Sequence, residues 1–283
     1  RRRANSRMTA DPGRPVAPVT RITVPPEVRL NHLDTRTIFV STTREPDRFV
    51  VVPPPIRLRD VENTRTYGEA CATAHALDLI GERWALLVVR ELLFGPKRFT
   101  DLRAGLPNAG PNRLSRRLRE LEGLGLVRRR KLAPPSGSWV YELTDWGREL
   151  EPVLVHLGRW GRRSPFRDLD AHIGSDALML ALRDDFDPAT SDDLNATYAI
   201  RFGEDHFGVR VADGRLDIER GDLLRPDATI DTDARTFVAL MTKGQDLKEA
   251  MRTGQVTVSG DPDAFKRLLN ALPRPEPAPT PSP

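Results

Sequence analysis

Apolar positions along this chain follow three regimes. Before Tyr67 they form only the runs Ile38-Phe39-Val40 and Phe49-Val50-Val51-Val52, set among nine prolines. So little apolar surface cannot offset the entropy of ordering, and residues 1–65 are expected to be disordered. Position 1 is Arg rather than Met, as expected of an over-extended or trimmed reading frame with translation starting near Val61, which would make the extension non-native.

From Tyr67 the period becomes helical. Ala70, Ala74, Leu77 and Ile80 share one face, and Gly81 stops that helix. Trp84 opens a second helix carrying Leu86, Leu87, Val89, Leu92 and Leu93, which Gly95-Pro96 ends. Phe99-Thr100 predicts a hydrophobic staple and N-cap for a third, with Leu102 and Leu106 inward. Pro107 to Gly110 supplies a turn, and Pro111 takes the first position of a fourth helix, where its missing N–H costs nothing. There Leu114, Leu118 and Leu121 recur at i, i+4, i+7, while Arg113, Arg116 and Arg117 crowd a neighbouring face. Arg128 to Lys131, a Pro-Pro-Ser-Gly break and the alternating Trp139 to Leu143 predict a hairpin. A last helix from Thr144 to Trp160 carries the stripe Leu150, Val153, Leu154, Leu157 and Trp160.

After Gly161 to Pro165 comes a linker-like stretch, and then the period falls to two. Tyr198, Ile200 and Phe202 alternate, as do Phe207, Val209 and Val211. Asp213-Gly214 is a strong hairpin turn before Leu216 and Ile218. Ala228 to Asp231 and Val256 to Val258 are further strands. Helices carry Phe237, Leu240 and Met241, then Leu247 and Met251, then Phe265, Leu268 and Leu269 behind an Asp261-Pro262 cap. The expected architecture is a mainly α winged helix-turn-helix domain over residues 66–163 followed by an α+β domain over 164–272, with a Pro-rich disordered tail at 273–283.

Charge sharpens this division. The chain has a formal net charge of +4, but residues 66–164 hold 17 Lys and Arg against 11 Asp and Glu, whereas residues 165–271 hold 13 against 21. A basic unit joined to an acidic one suits a nucleic-acid-binding domain fused to a non-binding one. Between Asn112 and Lys131 eight basic residues face two acidic ones. Asn112, Arg113, Arg116 and Arg117 are therefore candidates for contacts to duplex DNA, since arginine grips guanine bidentately in the major groove. Arg128, Arg129, Arg130 and Lys131 are candidates for phosphate contacts from the hairpin. The alternative is a solvated helix face, with Glu120 pairing to Arg116 or Arg117.

Other chemistry is sparse. No zinc-spaced Cys/His set, Gly-rich phosphate loop or Gly-x-Ser-x-Gly elbow is present, and the five His are scattered. Neither an enzyme nor a cofactor or metal is expected. Apolar runs are too short for a spanning helix and no signal-peptide pattern opens the chain, so a cytoplasmic location without membrane contact is expected. One cysteine, Cys71, permits no intrachain disulfide.

The motifs YGEACATAHALDLIGERWALLVVRELLFGPKRFTDL, PNRLSRRLRELEGLGLVRRR and VYELTDWGRELEPVLVHLGRW, in that order from Tyr67 to Gly161, resemble the HxlR family of bacterial winged-helix regulators, relatives of the MarR group. One departure is Gly110, where that family usually places Ser or Thr. The resemblance implies a homodimer paired through the first helix, around Ala72 to Ile80, and the last; the alternative is that the last helix's stripe packs on the following domain. It also makes Cys71 a candidate thiol sensor, with His75 one turn on, against the alternative of an inert buried cysteine. TFVALMTKGQDLKEAMRTGQVTVSGDPDAFKRLLNAL resembles the end of sterol carrier protein type 2 domains. That implies a pocket for a lipophilic small-molecule effector, with Phe237, Met241, Met251 and Phe265 as candidate lining or as plain core. The function expected is a dimeric DNA-binding transcriptional regulator responsive to a ligand or to redox state. The alternative is a lipid-binding or carrier protein in which the winged helix serves dimerisation.

Overall fold

A computed structural model describes residues 38–41, 49–52, 66–191, 194–273 and 276–279. The two apolar runs of the N-terminal segment pair as antiparallel strands, β1 (Ile38–Ser41) and β2 (Phe49–Val52), with Ile38 opposite Val52 and Ser41 opposite Phe49. These eight residues depart from the expected disorder, because two β-branched runs close enough to fold back satisfy each other's backbone groups. The rest of segment 1–65 lies outside the described residues.

Four helices follow: α1 (Ala72–Ile80), α2 (Ala85–Leu92), α3 (Phe99–Gly105) and α4 (Pro111–Gly123). The α3 helix starts two residues earlier than the Thr100 cap predicts. Arg98 is its N-cap, and the Asp101 carboxylate accepts the Arg98 backbone N–H at 3.0 Å. The hairpin is β3 (Val127–Lys131) against β4 (Trp139–Leu143), with Arg128 opposite Glu142 and Lys131 opposite Trp139. The single helix expected from Thr144 to Trp160 is two, α5 (Asp145–Arg148) and α6 (Glu151–Arg162). Thr144 caps α5 by accepting the Gly147 N–H at 3.1 Å. Pro152 near the start of α6 has no N–H with which to continue the α5 ladder.

The stretch after Pro165 read as a linker contains α7 (Ser175–Asp185), a helix the periodicity did not signal. Its apolar residues serve two cores. Leu180 joins the cluster of Val88, Val89, Leu92, Leu102, Leu114, Leu118 and Leu121. Leu178, Met179 and Leu182 join the cluster of Tyr198, Phe207, Phe237 and Phe265. A helix apolar on two sides has no single stripe, so no 3.6-residue pattern marks it.

Beyond α7 lie β5 (Ala196–Phe202), β6 (Asp205–Ala212), β7 (Arg215–Arg220), β8 (Ala228–Thr232) and β9 (Val256–Gly260), with α8 (Ala234–Val238), α9 (Leu247–Arg252) and α10 (Pro262–Asn270). The sheet order is β7-β6-β5-β8-β9; β5 and β8 run parallel and the other pairs antiparallel. The α+β layer expected for this half is therefore present. Part of the tail is held as well. The Ala278 N–H donates to the Arg163 carbonyl at 2.8 Å, and Arg163 Nε donates to the Glu276 carbonyl at 3.1 Å.

A charged seam joins the two halves. Lys97 Nζ lies 2.9 Å from Glu91 of α2 and 2.5 Å from Asp176 of α7. Arg220 of β7 reaches Asp176 and Asp205, each at 2.6 Å. The Lys97 backbone also bridges the hairpin, exchanging hydrogen bonds with Tyr141 at 3.0 and 2.8 Å. Here α3 and α7 approach through Gly105 and Gly174. A Cβ on Gly105 would fall 2.2 Å from Glu91 Oε2, so any larger residue pushes the seam apart.

Candidate nucleic-acid interface

The fourth helix holds the candidate contacts by burying its other side. Leu114 and Leu118 are fully buried and Leu121 nearly so, while Asn112, Arg113 and Arg116 are exposed. Among the described residues Arg113 has no ion pair. Arg116 is held only loosely, 3.7 Å from Glu120. These side chains can reach a partner outside the chain.

Arg117 cannot, which corrects its expected place among the contacts. It is buried, with Glu120 at 2.5 Å and Glu82 at 3.3 Å. The reason is its position: three residues after Leu114 and four before Leu121, it stands on the apolar stripe itself. Its guanidinium ties α4 to the turn before α2. The pairing of Glu120 weighed as the alternative therefore holds for Arg117 in full and for Arg116 in part.

Before α4, Gly110 sits at φ 62°, ψ 143°, a region closed to L-residues with a Cβ. The departure from Ser or Thr thus follows from the backbone: no side chain caps this helix, and the turn takes a conformation that glycine alone adopts readily.

The hairpin splits the basic run by strand alternation. Arg128 and Arg130 point to the face of Glu142, which they clamp at 2.6 and 2.7 Å. Burial would raise the Glu142 pKa, but the bonds from Arg130 and Arg128 outweigh it and hold the carboxyl below its ordinary value, so the clamp stays charged. Arg129 and Lys131 lie on the other face. Arg129 stacks 4.6 Å above the Trp139 ring and 5.9 Å from Tyr141. Lys131 is exposed with no ion pair among the described residues. The wing thus offers two arginines already neutralised by one carboxylate, a third stacked on an aromatic, and a free lysine.

Cys71 is exposed, not core, and N-caps α1. Backbone N–H groups of Ala74 and Thr73 lower its pKa, the Ala74 contribution being the larger. The His75 imidazole plays no part; only its backbone N–H bonds the Cys71 carbonyl, at 2.9 Å.

Of the two readings of Phe237, Met241, Met251 and Phe265, pocket lining or plain core, their packing favours core. Phe237 and Phe265 are fully buried and stack at 6.3 Å, and Phe202 packs edge-on against Phe237 at 5.3 Å. Met241 is buried in the same cluster and Met251 packs on its edge. Phe and Met at helical spacing fill the interior here because the sheet's inner face needs covering.

Three buried charged positions escaped sequence reasoning: Glu91, Lys97 and Asp176, members of the seam. The available signal was Glu91, a carboxylate between Val89 and Leu92 inside an apolar helix.

Helices, an amphipathic fourth helix behind a Gly-Pro turn and a basic two-stranded wing define a winged helix-turn-helix protein. The model of the HxlR-like helix-turn-helix family matches residues 79–167, and that of the alkyl sulfatase C-terminal family matches residues 179–278. YdeP of Bacillus subtilis (strain 168), described as an uncharacterized HTH-type transcriptional regulator, is 38% identical over 97 residues, covering 34% of this chain and 74% of YdeP. The redox regulator HypR in its oxidized form is 34% identical, covers 35% of this chain and 99% of HypR, and gives a TM-score of 0.32. The ubiquinone synthesis protein UbiJ-SCP2 is 18% identical, covers 29% of this chain and 69% of UbiJ, and gives 0.27. The chain belongs to the HxlR-like helix-turn-helix family and is a DNA-binding transcriptional regulator of that type. Among the described residues no helix is long and apolar enough to cross a membrane.

Proposed function

We propose that this regulator binds duplex DNA as a homodimer, with Asn112, Arg113 and Arg116 entering the major groove and Arg129 and Lys131 meeting the backbone from the wing. The observation that carries this is the division of α4 into a leucine face sealed in the core and a cationic face left open. Arg128 and Arg130 contribute less, since Glu142 already neutralises part of their charge.

The dimer reading rests on unpartnered apolar surface. Leu77 of α1 and Val153, Leu157 and Trp160 of α6 stay exposed, Trp160 at 76%. The alternative cover, the C-terminal half, meets α6 on another side through Arg162–Asp185 and Arg183–Glu151. A two-fold pair presents two recognition helices to a palindromic site. Response to oxidation would run through Cys71 and, with one cysteine per chain, through a bond between protomers or to a small thiol.

Duplex binding titrated over a range of salt tests the reading. The double variant Arg113→Ala/Arg116→Ala loses at least about tenfold in affinity for its preferred duplex, a guanidinium–guanine pair being worth about 1–3 kcal/mol. Arg117→Ala instead lowers the melting temperature through its lost partners Glu82 and Glu120. Wild-type affinity in the double variant removes α4 from the interface.

A further inference from the structure

Between the helix-turn-helix and the approach to α7 lies a cleft of about 320 Å³, at the small end of the range for pockets that hold organic ligands. One wall is Trp84 and the turn Leu106 to Asn108; the other is residues 167–169 and 171–174 with Ala177. It exists because the two halves pack together, and it lies apart from the four core residues that the sequence offered as pocket lining.

Three observations describe what it would take. Trp84 has φ 78°, in the left-handed region that a bulky L-residue avoids; strain of that kind persists where its surroundings impose it and gathers at ligand clamps. Its indole N–H is buried with no hydrogen-bond partner, a donor that an incoming acceptor or a small ring tilt would satisfy. On the rim, the Arg167 guanidinium is exposed and has no ion pair among the described residues, with His172 nearby, while the other lining arginine, Arg90, is already bound to Glu91 at 2.8 Å. One guanidinium without an ion pair, though within electrostatic reach of Asp185, lining the same cleft as apolar side chains, suits a single anionic head. Asp168, also on the rim, disfavours a dianion.

We propose that this seam cleft is a binding site for a compact amphipathic carboxylate, its apolar body against Trp84 and Leu106 and its carboxylate on Arg167. The consequence for DNA rests on the regulator reading above. Leu106 to Asn108 link α3 to Gly110 and α4, so a ligand seated there favours one placement of the recognition helix over another and shifts duplex affinity by its preference between them.

Calorimetry on the full chain with naphthoate, and with its neutral amide naphthamide, tests the site. Naphthoate binds, and naphthamide binds about tenfold more weakly, charge-assisted bonds being the stronger. Arg167→Gln brings naphthoate down to the level of the amide, and Ala177→Leu, which fills the cleft, abolishes both. Ala171→Phe, at the exposed rim, serves the same purpose should Ala177→Leu disturb packing. No binding of naphthoate, equal affinity for acid and amide, or binding that survives both cleft variants overturns the site. Duplex affinity is read separately. Naphthoate held in the cleft with no change in duplex affinity overturns the effector role, whereas a chain that binds no duplex fails without any ligand present and overturns the regulator reading instead.

Discussion

Burial pushes the Asp185 carboxyl from 3.8 up to about 6, against the pull of Arg162, whose guanidinium lies 2.7 Å away. The folded chain therefore holds this proton more tightly than the unfolded chain does, and the stability it contributes is present below about pH 4 and lost as pH rises to about 6. Asp185→Asn removes the titration. The variant's stability relative to the natural chain should rise between pH 4 and 7 by up to about 3 kcal/mol, each tenfold preference for the protonated form being worth about 1.4 kcal/mol. Urea melts at a series of pH values check this, and a difference that stays flat removes Asp185 as the source. The same scale explains Arg117: one residue's phase on a helix turns a groove contact into a buried tie between Glu82 and Glu120. Phase, and Glu120 as a partner, were readable in the spacing from Leu114 to Leu121; Glu82 was not, because it lies 35 residues away.

Among the elements, α6 has its inward and outward residues clearly sorted. Leu154 is buried and Leu150 packs on the same core, whereas Val153, Leu157 and Trp160 follow i, i+4, i+7 along the open side. Leu157 is half-exposed, so Leu157→Glu should leave the melt of the fold nearly unchanged while converting a dimer to monomers in sedimentation at micromolar concentration. Its duplex affinity should fall too, since one copy reaches one half-site. A variant that still sediments as a dimer moves the interface elsewhere. Strand period governs the wing in the same way, sending Arg128 and Arg130 to Glu142 and Arg129 to Trp139.

At the scale of the whole molecule the seam decides how the halves behave. Lys97 stands between Glu91 and Asp176, both almost wholly buried. Lys97→Met keeps the backbone bridge to Tyr141 but strips a cation from two buried carboxylates. Loss of the only partner of a buried charge costs about 3–5 kcal/mol; Glu91 keeps Arg90 and Asp176 keeps Arg220, so the cost here is smaller, and calorimetric unfolding of the variant should separate into two transitions, one for each apolar cluster. A single transition at the natural temperature would show that apolar packing through α7 alone joins the halves.

Sequence by itself determined the helices with one apolar face, the hairpins, the order of the two halves and the basic character of α4 and β3, because periodicity and turn chemistry act over a few residues. Tertiary structure alone decided that Glu82 receives Arg117, that α7 serves two cores, that β5 and β8 lie parallel, and that a cleft opens between the halves. Each of these depends on groups far apart in the chain meeting in space, where burial and charge pairing select partners that no local pattern encodes.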